Sequence, residues 1–388
     1  MLEFPVGEGV TLAELDEDPH PALARLRASE PVSWIPALDG WLVTRYDLAQ
    51  EVIRDAASFT VEDPRFSTAR VIGPSMLSLD GGEHRRHREP FVAPFRVSAV
   101  RERFAGPVAS ETRRLLDRLA PAGSGELRRS FAGPLAAKIV ALALGLGAAE
   151  VGDILSWYDA IVASVTDITA GQPLPAAGEM AFGALDRRLR PVIESRDTDS
   201  LLSSVATSGT LRTEEIVSNA AVLLFGGIET TEGMIANLLV HLLAHPEQLA
   251  LARSDRGLLD AAIDESLRFE PAAAVIDRYS TVDVSLGGAS IASGDLVRIS
   301  IAGANRDPAV FADPDRFDLR RSELRRHLAF AQGPHVCVGV HLARLEAREA
   351  IAGLLDRLPR LRLDPERPPR IKGLVFRKPV AVHAQWDA

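Results

Sequence analysis

The longest helix-like stretch, residues 213–246, places the strongest constraint on the fold. Its apolar residues recur at spacings of three and four, which is typical of a helix with a buried face. Shorter stretches with the same spacing occupy residues 20–29, 46–56, 100–121, 257–271 and 338–359. Strand-like segments are few and short, at residues 31–35, 40–45, 282–288, 289–301 and 379–386, with a hairpin expected around Gly287-Gly288. The sequence therefore predicts a mainly α fold with small β-sheets.

Nothing in the sequence marks a clear domain boundary. The 388 residues correspond to two or three domains of average size, but no low-complexity linker and no internal repeat divides them. Residues 170–178 and 207–212 are polar or rich in glycine and proline, and we interpret them as loops between helices. With 46% hydrophobic residues, the chain has enough apolar surface for a large core.

Charge and hydropathy exclude several classes of protein. The net charge of −9 disfavours general nucleic-acid binding. No stretch approaches the ~20 apolar residues of a membrane span; residues 135–149 come closest, and Lys138 within them favours a buried core helix. A single cysteine rules out an intramolecular disulfide, and residues 1–20 contain no signal-like apolar segment. We therefore expect a cytoplasmic protein.

The only cysteine, Cys337, lies between Gly333 and Gly339, directly before a helix-like stretch. It is a small buried side chain, a nucleophile with His335 or His341 as its base, or a metal thiolate. The dipole and free N–H groups of the following helix favour a thiolate, and the glycines permit a sharp turn and the close approach of a cofactor. Zinc or an iron–sulfur cluster would lack further ligands here, whereas a haem iron needs only one protein thiolate.

The segment FAQGPHVCVG, residues 330–339, resembles the cysteine loop of cytochrome P450 haem-thiolate monooxygenases. The matching positions are held by Phe330, Gly333, His335, Cys337 and Gly339. The resemblance implies the P450 fold, with residues 1–388 as a single haem domain. It places haem b (iron protoporphyrin IX) between an oxygen-activating helix and the cysteine loop. It also implies that Cys337 is the axial ligand, which pushes electron density onto the iron.

A second matching motif is ESLR, residues 265–268. Glu265 and Arg268 are three residues apart and share one helix face. Such pairs are common on solvated helices, but the apolar flanks of this one favour burial. The family has a Glu-x-x-Arg helix at this distance before the cysteine loop and a second arginine further on, a position that Arg316 fits. The resemblance implies that Glu265, Arg268 and Arg316 form a buried, structural charge network.

A third motif lies inside the longest helix-like stretch, where Gly226 and Gly227 precede Glu229 and Thr230. Each interior glycine costs about 1 kcal/mol relative to alanine, so either close helix packing or a local widening must offset it. The Thr230 hydroxyl can bond to the Gly226 carbonyl four residues earlier. The order resembles the family's oxygen-activation motif, which implies that Glu229 is the acid and Thr230 the alcohol that deliver protons.

A fourth motif, GGEHRRHREPF, carries His84 and Arg88 four residues apart on one helix face. A basic cluster of this kind is commonly a solvated or phosphate-binding face. The family uses such a pair to bind the haem propionates, together with an arginine on a later strand and a residue two before the cysteine. Arg278 and His335 fit those two positions.

The substrate pocket is the least constrained part of the site. By family position it includes the loop 61–76 and mainly aliphatic or aromatic residues, which implies an apolar substrate. The candidate lining residues are Val222, Phe225, Ala274, Val375 and Phe376. Arg65 or Arg70 is a candidate anchor for a substrate carboxylate, although each is also readily interpreted as a structural or surface arginine.

The resemblance implies a monooxygenase that consumes O₂ and a small organic substrate, with a secondary metabolite as one candidate class. No G-x-G-x-x-G nucleotide fingerprint follows a strand, so electrons are expected from a ferredoxin or flavodoxin and its NAD(P)H reductase. A docking patch for this partner is expected among the arginines near the cysteine loop: Arg85, Arg86, Arg101, Arg320, Arg321, Arg325 and Arg344. A monomer is expected.

Two alternatives use the same cofactor. One is an oxidase that couples C–C or C–O bonds or uses peroxide. The other is a non-catalytic haem sensor, which would have little need of Glu229 and Thr230.

Overall fold

The computed structural model describes residues 4–146, 151–169, 172–195 and 200–388. The helices within these ranges are α1 (Pro5–Glu8), α2 (Leu12–Glu17), α3 (His20–Ser29), α4 (Tyr46–Arg54), α5 (Ser67–Ile72), α6 (Gly81–Val92), α7 (Val97–Leu119), α8 (Gly133–Ala143), α9 (Val151–Thr169), α10 (Ala176–Glu194), α11 (Leu201–Thr207), α12 (Thr213–Ala244), α13 (Pro246–Ser254), α14 (Leu259–Phe269), α15 (Ile301–Ala304) and α16 (Val340–Arg357).

The strands within these ranges are β1 (Val32–Ile35), β2 (Gly40–Val43), β3 (Phe59–Thr60), β4 (Ser124–Glu126), β5 (Val275–Ser280), β6 (Val284–Leu286), β7 (Ala289–Ile291), β8 (Leu296–Ser300), β9 (Arg362–Leu363), β10 (Ile371–Lys372), β11 (Lys378–Pro379) and β12 (His383–Gln385). Helices dominate and the sheets are small, so the predicted fold class is confirmed.

Each stretch with helical periodicity contains a helix, and the hairpin is found between β6 and β7. Its turn residues Gly287 and Gly288 have φ values of 57° and 90°, a region that glycine tolerates. The prediction differs at residues 379–386, where β11 and β12 are two separate strands, and at residues 170–178, where α10 already begins at Ala176. The ends of two predicted segments, residues 147–149 and 170–171, lie outside the described ranges.

The largest sheet has the strand order β1-β2-β8-β5-β3. Its β2–β8 pair is parallel and its other pairs are antiparallel. A three-stranded sheet has the order β4-β12-β9, and β10 pairs with β11. In the register of β5 and β8, Arg278 lies opposite Val297. Arg278 is therefore held on an inner strand rather than at a sheet edge.

Helix α12 forms the centre of the main hydrophobic core, where it packs against α8, α14 and α16. Its length and composition would suffice to cross a membrane, but 72% of its most apolar window is buried inside the fold. The apolar periodicity of residues 213–246 thus reflects burial by neighbouring helices on most sides.

Candidate active site

The cysteine loop positions its thiol through backbone geometry. The N–H of Cys337 donates to the carbonyl of Phe330 over 2.9 Å. Between them, Ala331 and Gly333 adopt positive φ values of 56° and 67°. A Cβ on Gly333 would lie 3.3 Å from both the Arg54 Cα and the Ile53 carbonyl oxygen. The loop therefore reverses tightly against α4 and presents Cys337 just before the first turn of α16.

The side chain of Cys337 lines an internal space. It is accessible to solvent, yet the surrounding protein desolvates it and raises the pKa of its thiol, against the opposing influence of the Gly339 N–H and the Arg88 charge. A side chain that is both accessible and enclosed faces a cavity rather than the outer surface. A thiol in this position can bind the metal ion of a cofactor.

The paired glycines of α12 serve two different purposes. A Cβ on Gly226 would meet nothing within 4 Å, so this position borders open space. A Cβ on Gly227 would lie 3.0 Å from the Val140 Cγ2 atom of α8, which is close helix packing. The Thr230 hydroxyl donates to the Gly226 carbonyl over 2.6 Å, as predicted from the spacing. Both explanations offered by the sequence are thus found, one at each glycine.

Glu229 is buried and held by partners that the sequence did not suggest. Lys378 Nζ lies 2.7 Å from Glu229 Oε1, and the Tyr158 hydroxyl donates to Glu229. Lys378 also lies 2.8 Å from Glu232 Oε2, and Arg128 lies 3.3 Å from that same atom. One sequence signal was present, since Glu232 is a second acid three residues after Glu229 in the mainly apolar middle of α12.

Four basic residues gather around the side of the cavity next to the cysteine loop. The rings of His84 and His335 lie 4.3 Å apart. The charge of Asp80 acts to raise the pKa of both His84 and Arg278. The charge of Arg88 acts to lower the pKa of both Cys337 and His84. The structure therefore brings together all four residues that the resemblance assigned to the propionates.

Three of these basic residues, His84, Arg88 and Arg278, have no bonded carboxylate among the described residues. His84 is 3% exposed, its Nε2 atom has no hydrogen-bond partner among the described residues, and desolvation together with His335 and Arg88 lowers its pKa to about 4. Burial also lowers the pKa of Arg88 and of Arg278. Within the described ranges these two arginines donate only to carbonyls, those of Val336 and Asp277.

The Nε2 atom of His335 is bonded to Asp80 at 2.7 Å, and the role of His335 toward the propionates stays a prediction. The other three side chains fit a ligand that carries two carboxylates, as a haem does.

The Glu-x-x-Arg pair forms a buried network with one member changed. Arg268 bonds both oxygens of Glu265 at 2.7 and 2.9 Å, and both side chains are fully buried. The prediction for Arg316 is wrong. Its side chain is 66% exposed beside Asp318, and only its backbone carbonyl accepts a bond from Arg268. The second arginine is Arg321, which lies 3.3 Å from Glu265.

The candidate pocket residues divide into two groups. Phe225 and Phe376 meet edge to face at 5.5 Å, and half-buried Val222 packs against the same core. The structure corrects the prediction that Ala274 lines the pocket. Ala274 is 1% exposed and packs in the cluster formed by the N-terminal helices and β2, because its side chain points to that face. For Val375 the structure gives a backbone contact, in which its carbonyl accepts from the Ala274 N–H at 2.8 Å.

Several arginines have partners that limit their candidate roles. Arg65 is bonded to Asp63 at 2.8 Å and lies over the ring of Tyr279. These contacts favour a structural role for Arg65 over that of a substrate anchor. Of the proposed docking patch, Arg321 is buried against Glu265, and Arg86 and Arg344 are paired with carboxylates. The exposed members are Arg85, Arg101, Arg320 and Arg325.

Comparisons with known proteins agree with this geometry. The sequence model of the cytochrome P450 family matches residues 185–379. Cytochrome P450 monooxygenase PikC of Streptomyces venezuelae is 36% identical over 374 residues, covering 89% of this chain and 85% of PikC. Nocardicin C N-oxygenase of Nocardia uniformis subsp. tsuyamanensis is 35% identical, covering 99% of this chain and 98% of that enzyme.

The same family is found among solved structures. P450BioI, crystallised with an acyl carrier protein bearing hexadec-9Z-enoic acid, superimposes with a TM-score of 0.85 at 28% identity, covering 95% of this chain and 99% of P450BioI. In this chain Cys337 lies just before α16, and α12 carries Glu229 next to Thr230. The chain belongs to the cytochrome P450 family and is a haem-thiolate monooxygenase.

Proposed function

We propose that this monooxygenase inserts one oxygen atom from O₂ into a mostly apolar small organic molecule, with a secondary metabolite as the favoured class. The overall reaction is RH + O₂ + two electrons + two protons giving ROH + water. The observation that carries the proposal is the Cys337 thiol, which lines an internal cavity at the start of α16. We propose residues 1–388 as a single haem domain that acts as a cytoplasmic monomer.

The haem supplies the iron at which O₂ is activated, and the chain supplies its binding groups. Cys337 would bind the haem iron through its sulfur, with Phe330 and Gly339 shaping the loop around it. His84, Arg88 and Arg278 are proposed to bind the two propionates, since His84 and Arg278 are buried, Arg88 is half-buried, and none is bonded to a carboxylate within the described ranges. His335 contributes through its hydrogen bond to Asp80, which fixes the ring next to His84. Gly226 leaves room for the cofactor on the α12 side.

Two residues of α12 are assigned to proton delivery. Glu229 is the proposed proton donor and Thr230 the hydroxyl that directs the proton. The hydrogen bond from Thr230 to the Gly226 carbonyl supports this role, because it fixes the hydroxyl at the edge of the open space.

The aromatic pair supports an apolar substrate. Phe225 of α12 and Phe376 of the segment before β11 pack edge to face, and an apolar surface of this kind favours hydrocarbon or aromatic groups. Relatives act on varied molecules, as the names nocardicin C N-oxygenase and pentalenic acid synthase indicate. A secondary metabolite is favoured because such names are frequent among them.

Electrons are proposed to come from a ferredoxin or flavodoxin reduced by an NAD(P)H reductase. The exposed arginines Arg85, Arg101, Arg320 and Arg325 are the proposed contacts for this acidic partner.

The thiolate assignment is tested by the absorption spectrum of the reduced, CO-bound protein. A strongly red-shifted Soret band is expected, and Cys337→Ser should lose it; a wild-type spectrum without that band contradicts the assignment. Ligands that displace the axial water, detected as a Soret shift in a library screen, then identify the substrate class. Thr230→Ala should divert electrons to peroxide, whereas unchanged product yield per NAD(P)H would contradict its role.

A further inference from the structure

Two buried carboxylates of α12 share one lysine from the hairpin formed by β10 and β11. Lys378 Nζ lies 2.7 Å from Glu229 Oε1 and 2.8 Å from Glu232 Oε2. The Tyr158 hydroxyl accepts from Lys378 at 3.0 Å and donates to Glu229. Glu229, Glu232 and Tyr158 are each at most 3% exposed. Glu229 is thus bonded to Lys378 and Tyr158, and no hydrogen bond joins it to Thr230 in the described structure.

The chain makes room for this arrangement from both sides. A Cβ on Gly233 would lie 3.4 Å from the Lys378 Cβ, so the glycine lets the lysine pass close to α12. A Cβ on Gly133 would lie 2.8 Å from Glu232 Oε1, so this glycine accommodates the second carboxylate. The fold around both glycines is therefore matched to the Glu232–Lys378 pair.

The charges of the cluster are compensated around Glu232. A π-helical turn, Arg128–Ala132, brings Arg128 within 3.3 Å of Glu232, and such turns are frequent at functional sites. Arg129 lies 3.8 Å from Glu232 and 3.1 Å from Asp159, and both of these partly exposed side chains connect the cluster to solvent. Tyr158 remains a protonated donor, because burial and the two glutamates raise the pKa of its hydroxyl. Glu232 therefore has two arginines near it in addition to Lys378.

We propose that Lys378 is a positioning residue that holds the Glu229 side chain away from Thr230, and that Glu232 is a second seat for its ammonium group. When Glu229 turns toward Thr230, Lys378 stays paired with Glu232, so its buried ammonium group keeps a carboxylate partner. The alternation sets when Glu229 can take up a proton and pass it on. This inference rests on the proposed role of Glu229 as proton donor.

The two seats predict opposite effects of two substitutions. Lys378→Met removes the shared cation, so Glu229 is released and takes up a proton more readily. Glu232→Gln removes the second seat, so Lys378 binds Glu229 alone and releases it less readily. Lys372→Met is the matched control, because Lys372 lies opposite Lys378 in the same hairpin and pairs with Glu17 at the surface. Lys378→Arg keeps the cation and should restore wild-type behaviour.

The first measurement is the infrared absorption of protonated carboxyl groups in the holoenzyme between pH 6 and pH 9, assigned to Glu229 by its loss in the corresponding Glu229→Gln variants. Lys378→Met should show this band up to a higher pH than the wild type, whereas Lys372→Met and Lys378→Arg should match the wild type. Equal bands in the Lys378→Met and Lys372→Met proteins would overturn the proposal.

The second measurement is the solvent isotope effect on oxygen consumption, with NADPH, a ferredoxin and its reductase as the electron source. Glu232→Gln should slow oxygen consumption roughly tenfold and enlarge the isotope effect, and Lys378→Met should reduce the isotope effect. Changes in the same direction for both variants would show a merely structural role and overturn the two-seat proposal. If Glu229→Gln itself leaves the isotope effect unchanged, the proton-donor role fails instead.

Discussion

At the scale of single residues, a buried ion pair fastens α14 to residues 314–321. Glu265 accepts from Arg268, from Arg321 and from the backbone N–H of Asp318 at 2.8 Å. Arg268 in turn binds the carbonyl of Pro314 at 2.7 Å. A carboxylate with no exposure tolerates the loss of a partner poorly, because the remaining charge has no access to water.

The exchanged arginine gives a direct prediction. Arg321→Met should lower the free energy of unfolding by about 3 kcal/mol, because it strands part of the charge on buried Glu265. Arg316→Met should change it by less than about 0.5 kcal/mol, because the Arg316 side chain is mostly exposed. Urea unfolding of the two variants measures the difference, and equal destabilisation by both would contradict the assignment of Arg321.

Glu346 on α16 predicts a pH dependence. Its side chain is buried, Oε2 has no partner among the described residues, and desolvation raises its pKa well above the usual value. A raised pKa in the folded state gives stability that is complete below the unfolded-state pKa, about 4.3, and is lost as the pH rises toward the folded-state pKa. Glu346→Gln removes this loss.

The free energy of unfolding of Glu346→Gln relative to the wild type should therefore increase between pH 5 and pH 8. Urea unfolding at several pH values measures it, with Glu349→Gln, at a half-buried position on the same helix, as the control. Parallel pH curves for the wild type and Glu346→Gln would contradict the raised pKa of Glu346.

At the scale of elements, α12 is a core helix that carries open space at one glycine and tight packing at the next. Gly226 borders the cavity and Gly227 packs against Val140 of α8. The two positions are adjacent, so they point about 100° apart around the helix axis and meet different surroundings.

Alanine at these two positions should have opposite effects on the haem-free protein. Gly226→Ala should raise the free energy of unfolding by up to about 1 kcal/mol, because alanine is the better helix former and meets nothing. Gly227→Ala should lower it by about 1–2 kcal/mol, because Val140 must shift. Unfolding of the haem-free proteins measures this, while Gly226→Ala should also lower the haem content of the purified enzyme. Equal effects on stability would contradict the different surroundings.

At the scale of the whole molecule, the termini are joined to the centre by charged contacts. Glu270, at the end of α14, lies 2.8 Å from both His20 and Arg377. Burial alone would raise the pKa of Glu270, but the hydrogen bond from His20 and the charges of His20 and Arg377 lower it. This cluster therefore connects α3, the end of α14 and the C-terminal segment, which supports the proposal of a single domain.

Electron transfer is also a property of the whole surface. Rising ionic strength should slow the reduction of the enzyme by its acidic partner, because salt screens attraction between exposed charges. Arg101→Glu should slow reduction further, while Arg118→Glu is the control, an exposed arginine about 25 Å away on the same helix α7. Stopped-flow reduction measures both, and a rate independent of salt would contradict the docking patch.

The sequence by itself determined the elements whose geometry is local. The hairpin at Gly287-Gly288 and the bond from Thr230 to Gly226 follow from short-range spacing, and α12 follows from its period. The residues of the cysteine loop are contiguous, so their order sufficed to predict the thiolate. Pairs within one turn of a helix, such as Glu265 and Arg268, were also readable, because i,i+3 spacing fixes their face.

Only the tertiary structure decided which distant side chains meet. It placed Arg321 rather than Arg316 on Glu265, and it turned Ala274 toward the N-terminal core. It also brought Lys378 to Glu229 across 149 residues of chain. Spacing fixes a side chain's direction only relative to its own helix or strand. The direction in space depends on how loops and packed layers orient that element, and that is settled by burial of the whole core.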